Sequence, residues 1–446
     1  MKAAAFSLGL VVLIATTGCS GTSGNTMQSS PAAVTSEPAA VATARSTPTP
    51  SYGPQYEEKL RSDIVLPERW AGGGGWKIPG LAAKPYGLKD SVAVVSGGEL
   101  ANSDYSKTFA TIAVYDRFGI QTAVSKNPEG ISNSKLSIPI VGTSYADGKP
   151  YLVMVQFGTA SATGGTTKKT GSAVHYVIID DASGKIVADA VFSTPEPIRN
   201  GQLTDAYAGT KAIQRDGQSL SFRAGDKTYV INPVSGAVDT VVLPGPGAEW
   251  KTRVDGVDVF RTGLDSSGEG IATATWTKRF QFPTSDDAVA YGSYISVAEW
   301  VGDRWSEGCV AVNVHTGEIA PGFAKLAGGC FARLPSMSDE FDTYRGVVAT
   351  RDKLLRITDA AFVALATDDT FNPEFVGGDG IIYGFAEPIP GKMTSAHLDF
   401  SEKTAKTDPP EGSVRPLAVT SSGLAVFLTT GSSQSAGYLF VNPLKG

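Results

Sequence analysis

The chain has 446 residues, of which 18% are charged and 51 are glycine, with a net charge of −6. No run of Lys or Arg stands out beyond Lys168-Lys169, so nucleic acid is not an expected partner. Sparse charge and abundant glycine describe a turn-rich chain rather than a helical one.

The first segment has the layout of a secretory signal. Met1-Lys2 supplies a positive charge, Ala3 to Ala15 is apolar, and Thr16-Thr17-Gly18-Cys19 follows. The apolar run falls short of the roughly 20 residues a membrane-spanning helix needs. Small residues before a cysteine suit a lipoprotein signal peptidase, which requires that cysteine to be diacylated before it becomes the new N-terminus. Thr16 stands where leucine is usual. The expectation is a signal peptide at 1–18, a lipidated Cys19, and a protein held by lipid on the extracytoplasmic face of the cell membrane. Residues 19–54 are dominated by Ser, Thr, Ala, Pro and Gly, as in Ser29-Ser30-Pro31-Ala32-Ala33 and Thr47-Pro48-Thr49-Pro50. Such a stretch buries too little apolar surface to offset its ordering entropy, so a disordered tether is expected there.

Residues 55–446 are long enough for a large core. Short runs rich in Val, Ile, Tyr, Phe and Thr recur between Gly, Asp, Asn and Pro. Ser91 to Val95, Thr108 to Tyr115, Tyr151 to Phe157, Val174 to Ile179, Thr228 to Ile231 and Tyr291 to Trp300 read as strands of an all-β chain. The turns between them align. Ile179-Asp180-Asp181-Ala182-Ser183-Gly184-Lys185-Ile186, Ile231-Asn232-Pro233-Val234-Ser235-Gly236-Ala237-Val238 and Val312-Asn313-Val314-His315-Thr316-Gly317-Glu318-Ile319 share one pattern. An Asp or Asn side chain can bond backbone N–H groups just ahead of it. Glycine then takes positive φ and lets the chain re-enter as a strand.

Weaker copies end at Gly119, Lys403 and Gly446. From Gly184 onward the sixth positions are separated by 52, 81, 86 and 43 residues, three of which are one or two multiples of about 42. Degenerate turns then fall near 276 and 360. A period of 40–50 residues in an all-β chain points to one four-stranded blade per repeat of a β-propeller. The count favours eight blades, with seven if the long early intervals hold insertions such as Thr159 to Gly171. The chain stops where the other copies turn into their outermost strand, so an N-terminal strand is expected to complete the last blade. Asp63 to Leu66 is expected to pair beside Tyr438 to Val441, which would remove two exposed sheet edges.

These aliphatic-Asp-x-x-Thr-Gly turns resemble the repeat of quinoprotein-like (PQQ-repeat-like) β-propellers. That superfamily includes dehydrogenases and non-catalytic lipoproteins of the bacterial cell envelope. The resemblance implies a propeller and covers five short turns. The family usually places Trp four residues after the Gly to dock neighbouring blades, whereas here Ala188, Thr240 and Pro321 stand there. This departure sets the chain apart from a redox quinoprotein, and no cofactor is expected.

Cys309 and Cys330 are the cysteines besides Cys19. In an oxidising compartment such a pair is most simply a disulfide. The histidines, His175, His315 and His397, have no second His or Cys at metal-ligand spacing, so no metal site is expected. No Gly-x-Ser-x-Gly elbow occurs. The tandem acids Asp180-Asp181, Asp286-Asp287 and Asp368-Asp369 point to opposite sides of a strand or serve turns. Gly72-Gly73-Gly74-Gly75 and Gly377-Gly378-Asp379-Gly380 lack the Lys and Ser or Thr of a phosphate cradle and read as loops. No catalytic residue is therefore assigned.

Trp76, beside the glycine run, and Trp300 and Trp305, which bracket a tight hairpin, are candidate ligand-binding aromatics. The expected function is a non-enzymatic, membrane-anchored lipoprotein whose propeller loops bind or scaffold an envelope protein or cell-wall polymer. The rival is an extracellular hydrolase or lyase acting on a glycan or lactone through acids in the propeller channel.

Overall fold

A computed structural model describes residues 56–444 apart from 80–83, 97–108, 129–130, 134–138, 162–169, 197–212, 216–219, 265–267, 283–289, 303, 322, 324–330, 333–346, 351–353, 358–361, 366–370, 390, 400–403 and 431–435. The signal peptide, Cys19 and the whole tether lie outside the described residues, as do Cys330 and the tandem acids at 286–287 and 368–369. All named elements among the described residues are β-strands, and they form eight antiparallel sheets.

We number the sheets I to VIII along the chain. Sheet I spans Lys84–Gly87 to Gln121–Val124, sheet II Ile131–Asn133 to Ile186–Thr194, and sheet III Ile213–Arg215 to Val238–Thr240. Sheet IV runs from Glu249–Val254 to Thr277–Lys278, and sheet V from Phe280–Gln281 to Arg304–Asn313. Sheet VI runs from Phe331–Ala332 to Phe362–Leu365, and sheet VII from Phe371–Val376 to Lys406–Thr407. Sheet VIII is built from Ala418–Val419, Ala425–Leu428, Gly437–Val441 and, from the other end of the chain, Gly75–Pro79. Most of the expected strands fall inside these elements. Tyr291 to Trp300 does not run unbroken, because Gly292 at φ 58° makes a hairpin turn between Tyr291 and Tyr294.

The middle strands are apolar at nearly every position because both faces of a sheet are covered. In Ser91–Ser96, alternate side chains serve different neighbours: Val92 and Val94 pack with sheet VIII, Ala93 and Val95 with sheet II. The same division holds in sheet II, where Leu152 and Met154 face sheet I while Val153 and Val155 face sheet III. Core clusters join sheets III and IV, IV and V, and VII and VIII in the same serial manner. Sheet VIII thus packs on sheet VII and on sheet I, so the end of the chain meets its beginning.

The shared turn pattern has one geometry. The Asp180 carboxylate accepts from the Ser183 N–H at 2.7 Å, Asn232 Oδ1 from the Val234 N–H at 2.9 Å, and Asn313 Oδ1 from the His315 N–H at 2.9 Å. Gly184, Gly236 and Gly317 then sit at φ 64°, 70° and 70°. These glycines also need room. A Cβ on Gly236 would lie 2.5 Å from Ala188 Cβ, and one on Gly317 would lie 2.9 Å from the Trp276 ring of the preceding sheet. Gly119 is covered in the same way by Trp76. Tryptophan docking is therefore present at two sheet junctions, at spacings other than the four residues of the quinoprotein repeat.

The strand that completes sheet VIII is not Asp63 to Leu66. Gly75–Pro79 pairs with Gly437–Val441, Trp76 opposite Phe440. Asp63 instead accepts from Thr430 Oγ1 at 2.9 Å, Val65 accepts from the Val414 N–H, and Leu66 is buried between sheets VII and VIII. The reason lies in the glycine run. A Cβ on Gly73 or Gly75 would come within 2.0 Å of the carbonyl oxygen of Asn442 or Phe440. Only glycine allows the two backbones to approach so closely, and this run is the signal that Asp63 to Leu66 lacks.

Candidate ligand-binding rim

In a four-stranded meander the first and third turns fall at one end of the strands and the second turn at the other. Turns of the first kind in different sheets are bonded to one another. The Lys89 N–H donates to Asp181 O at 3.1 Å, the Ser422 N–H to Lys89 O at 3.1 Å, and Asn442 Nδ2 to Arg117 O at 3.1 Å. Asp255, in an Asp-Gly turn of sheet IV with φ 44°, accepts from the Gly148 N–H of sheet II, Ser293 Oγ at 2.6 Å and His315 Nε2 at 2.9 Å. This rim spends its polar groups on holding sheets together.

The opposite rim carries two of the predicted aromatics. Strands Tyr294–Val301 and Arg304–Asn313 place Trp300 directly opposite Trp305. The rings meet edge to face with centroids 5.0 Å apart, and the Arg279 guanidinium lies 3.7 Å above Trp300. Trp300 Nε1 donates to Gly302 O at 3.0 Å, which fixes the ring over its own turn. Both tryptophans are half-buried, and Val301 beside them is 56% exposed. The hairpin was legible because Val301-Gly302-Asp303-Arg304 has the composition of a tight turn, and the cross-strand pair follows from that register.

Trp76 is placed elsewhere. It is 1% exposed, stacks on Phe440 at 3.8 Å with the planes 5° apart, and packs against Tyr115 with ring centroids 5.3 Å apart. Its work is to dock sheet VIII on sheet I, and a ligand cannot reach it. Trp70 is likewise buried, donating Nε1 to Gly423 O at 2.9 Å.

Each histidine pairs with an aspartate: His175 Nε2 with Asp189 at 2.9 Å, His315 Nε2 with Asp255, and His397 Nδ1 with Asp408. Sequence reasoning missed these aspartates because they come from other strands and turns. Ser293 sits on the Asp255 carboxylate and Ser395 on the Asp408 carboxylate, so in neither cluster does the serine meet the imidazole that would take its proton. Among the described residues no group of three His, Cys, Asp or Glu could hold a metal ion. Cys309 is buried on Arg304–Asn313.

Burial works to raise the Asp255 pKa, but the hydrogen bonds from Ser293, His315 and Gly148 outweigh it and hold the carboxyl below its ordinary value. A depressed folded-state pKa contributes stability above the unfolded value of about 3.9, and this is lost as pH falls through the folded value. Asp255→Asn is expected to cost about 2 kcal/mol near pH 7. The gap to the unsubstituted protein closes as the pH falls through the depressed folded-state pKa of Asp255. Urea denaturation of both proteins at several pH values reads this directly, and a gap constant with pH contradicts it.

No family model matches the chain, and neither does any curated protein. Solved structures found by shape include the mitotic checkpoint complex (13% identity, 90% of this chain and 99% of that one, TM-score 0.25). They also include TolB from Acinetobacter baumannii, at 11% identity over 80% of this chain and 63% of that one, TM-score 0.21. An acylaminoacyl peptidase from Pyrococcus horikoshii matches at 9% identity over 75% of this chain and 53% of that one, TM-score 0.24. Likeness at this level is recorded as similarity of shape and carries no conclusion about activity.

Proposed function

We propose that the protein is a lipid-anchored, extracytoplasmic binding or scaffolding lipoprotein. In this reading Cys19 carries the lipid, residues 19–54 form the tether, and 55–446 fold as an eight-bladed β-propeller related to the quinoprotein-like envelope lipoproteins. The eight sheets are its blades, Gly75–Pro79 closes the ring, and Cys330 is the disulfide partner of Cys309. Support for the ring is the serial packing of sheets, with sheet VIII against both VII and I. The partner is an envelope protein or a cell-wall polymer.

The observation that carries the binding reading is the Trp300–Trp305 pair, half-buried at a hairpin and presented with Arg279 over the Trp300 ring. Rigid, half-exposed aromatics bury large area at little entropic cost, which is why they anchor interfaces. The test is affinity capture of the chain from its own membrane, identifying bound proteins and glycans and mapping the lipid and disulfide on the same sample. A stoichiometric partner is expected, with affinity reduced at least about tenfold by Trp305→Ala. Capture unchanged by that substitution, or a Cys19→Ser form that still fractionates with membranes, contradicts the corresponding part of the reading.

A further inference from the structure

A second feature, apart from the tryptophan pair, is the edge of sheet II. Ile186–Thr194 ends that sheet and pairs on one side with Thr170–Asp180. Among the described residues no strand pairs with its other side. The last strands of sheets I, III, IV, VI and VII have two to four residues, whereas this one has nine. Gly75–Pro79, at the end of sheet VIII, is met at Gly75 by Glu57, and Arg304–Asn313, at the end of sheet V, is met at Val312 by Ile319. We propose that the open edge of Ile186–Thr194 pairs with the same strand of a second copy of this chain, antiparallel, about a two-fold axis at Val191.

An unpaired edge offers a row of backbone N–H and C=O groups, and proteins usually blunt it with Lys, with Pro or by keeping the strand short. Ile186–Thr194 is long and carries neither Lys nor Pro. Its charged residue, Asp189, is already engaged. One carboxylate oxygen pairs with His175 Nε2 at 2.9 Å, and the other accepts from the Lys126 N–H at 2.7 Å. The ladder with Thr170–Asp180 shifts register between Ile186 and Ala188, so the unbroken stretch runs from Ala188 to Thr194 with Val191 at its centre. Val191 is 38% exposed, and Val124, two residues before Lys126, is 50% exposed, so apolar surface borders the edge.

The occupant follows from what the strand matches. Laid antiparallel on its own copy about Val191, the strand sets Val191 opposite Val191, Ala190 opposite Phe192, Asp189 opposite Ser193 and Ala188 opposite Thr194. Small meets large at Ala190 and Phe192, and the Ser193 hydroxyl can donate to the Asp189 carboxylate. The two Asp189 residues then lie four positions apart, about 13 Å along the strand, so no like charges face each other. Centring the pair on Ala190 would instead bring them to diagonal positions about 7 Å apart. Every contact repeats on both sides of the axis, as an isologous interface requires. A glycan has no backbone ladder to offer this edge, and the second copy carries the complementary side chains already.

Sedimentation equilibrium of the full chain in detergent is expected to show a monomer–dimer equilibrium. Val191→Lys sets like charges opposite each other and weakens the dimer at least about tenfold, Val191→Glu does the same, and mixing the two variants restores association. Thermal melts close to the parent's confirm that the variants remain folded. Oxidation reads the register, with the parent chain as background. Val191→Cys is expected to crosslink, because directly opposed Cβ atoms lie within reach of a disulfide. Val187→Cys, at 40% exposure, is not expected to crosslink, because its two copies lie more than about 20 Å apart. The proposal is overturned by a chain that stays monomeric at the highest concentration reached, by a dimer indifferent to Val191→Lys, or by mixed Lys and Glu variants that fail to associate. Crosslinking through Val187→Cys as efficient as through Val191→Cys overturns it too. Loss of the dimer with Trp305→Ala but not with Val191→Lys would place the contact at the tryptophan hairpin and overturn it as well.

Discussion

Trp76→Ala is expected to lower the free energy of unfolding by about 3–5 kcal/mol, the usual cost of emptying a fully buried aromatic site. The ring is 1% exposed, stacks face to face on Phe440, touches Tyr115, and lies under Gly119. It belongs to the strand that completes sheet VIII and packs in the cluster shared with sheet I. One truncation therefore loosens the strand and the junction together. Trp76→Phe supplies the control. The indole N–H of Trp76 is buried without a hydrogen-bond partner among the described residues, so Phe gives up ring area but removes an unsatisfied donor, and its expected cost is below about 1.5 kcal/mol. Urea denaturation of the three proteins decides it; an alanine variant within 1 kcal/mol of the unsubstituted protein means that Trp76 does not dock the sheets.

The glycine run makes the second large prediction. Gly75→Ala places a Cβ about where the Phe440 carbonyl oxygen lies, at 2.0 Å. A backbone oxygen in a paired strand cannot move aside cheaply, so strand Gly75–Pro79 must detach or shift. The expected cost is about 2–4 kcal/mol, above the common range for an overpacked site because backbone hydrogen bonds are lost as well. Gly72→Ala is the contrast. Its Cβ would meet the end of the Leu444 side chain at 2.9 Å, and a side-chain tip can rotate away. That variant is expected within about 1 kcal/mol of the parent. Limited proteolysis distinguishes the two, with Gly75→Ala opening the segment before Lys84 to cleavage and Gly72→Ala remaining protected. Equal protection in both would mean that close backbone approach is not what holds Gly75–Pro79 in place.

These variants separate what was legible in the residues from what was not. The turn pattern was legible because its physics is local. Asp180, Asn232 and Asn313 each bond an N–H two or three residues ahead, and glycine follows wherever φ turns positive. The hairpin that sets Trp300 opposite Trp305 was legible for the same reason. The strand that completes sheet VIII was not. Gly-Gly-Gly-Gly-Trp has poor strand propensity by itself, and its suitability rests on the Asn442 and Phe440 backbones, more than 360 residues away in sequence.

By itself, then, the sequence determined an all-β chain of repeated turns, together with the expectation of a lipid anchor at Cys19. Only the tertiary structure decided that Gly75–Pro79 is the partner, that Trp76 is a docking ring while Trp300 and Trp305 remain half-exposed, and that each histidine meets an aspartate. It also left Ile186–Thr194 as the edge of sheet II. The division has one physical cause. Turn chemistry is settled by hydrogen bonds within a few residues, whereas exposure and strand pairing depend on which surfaces meet once the sheets pack side by side.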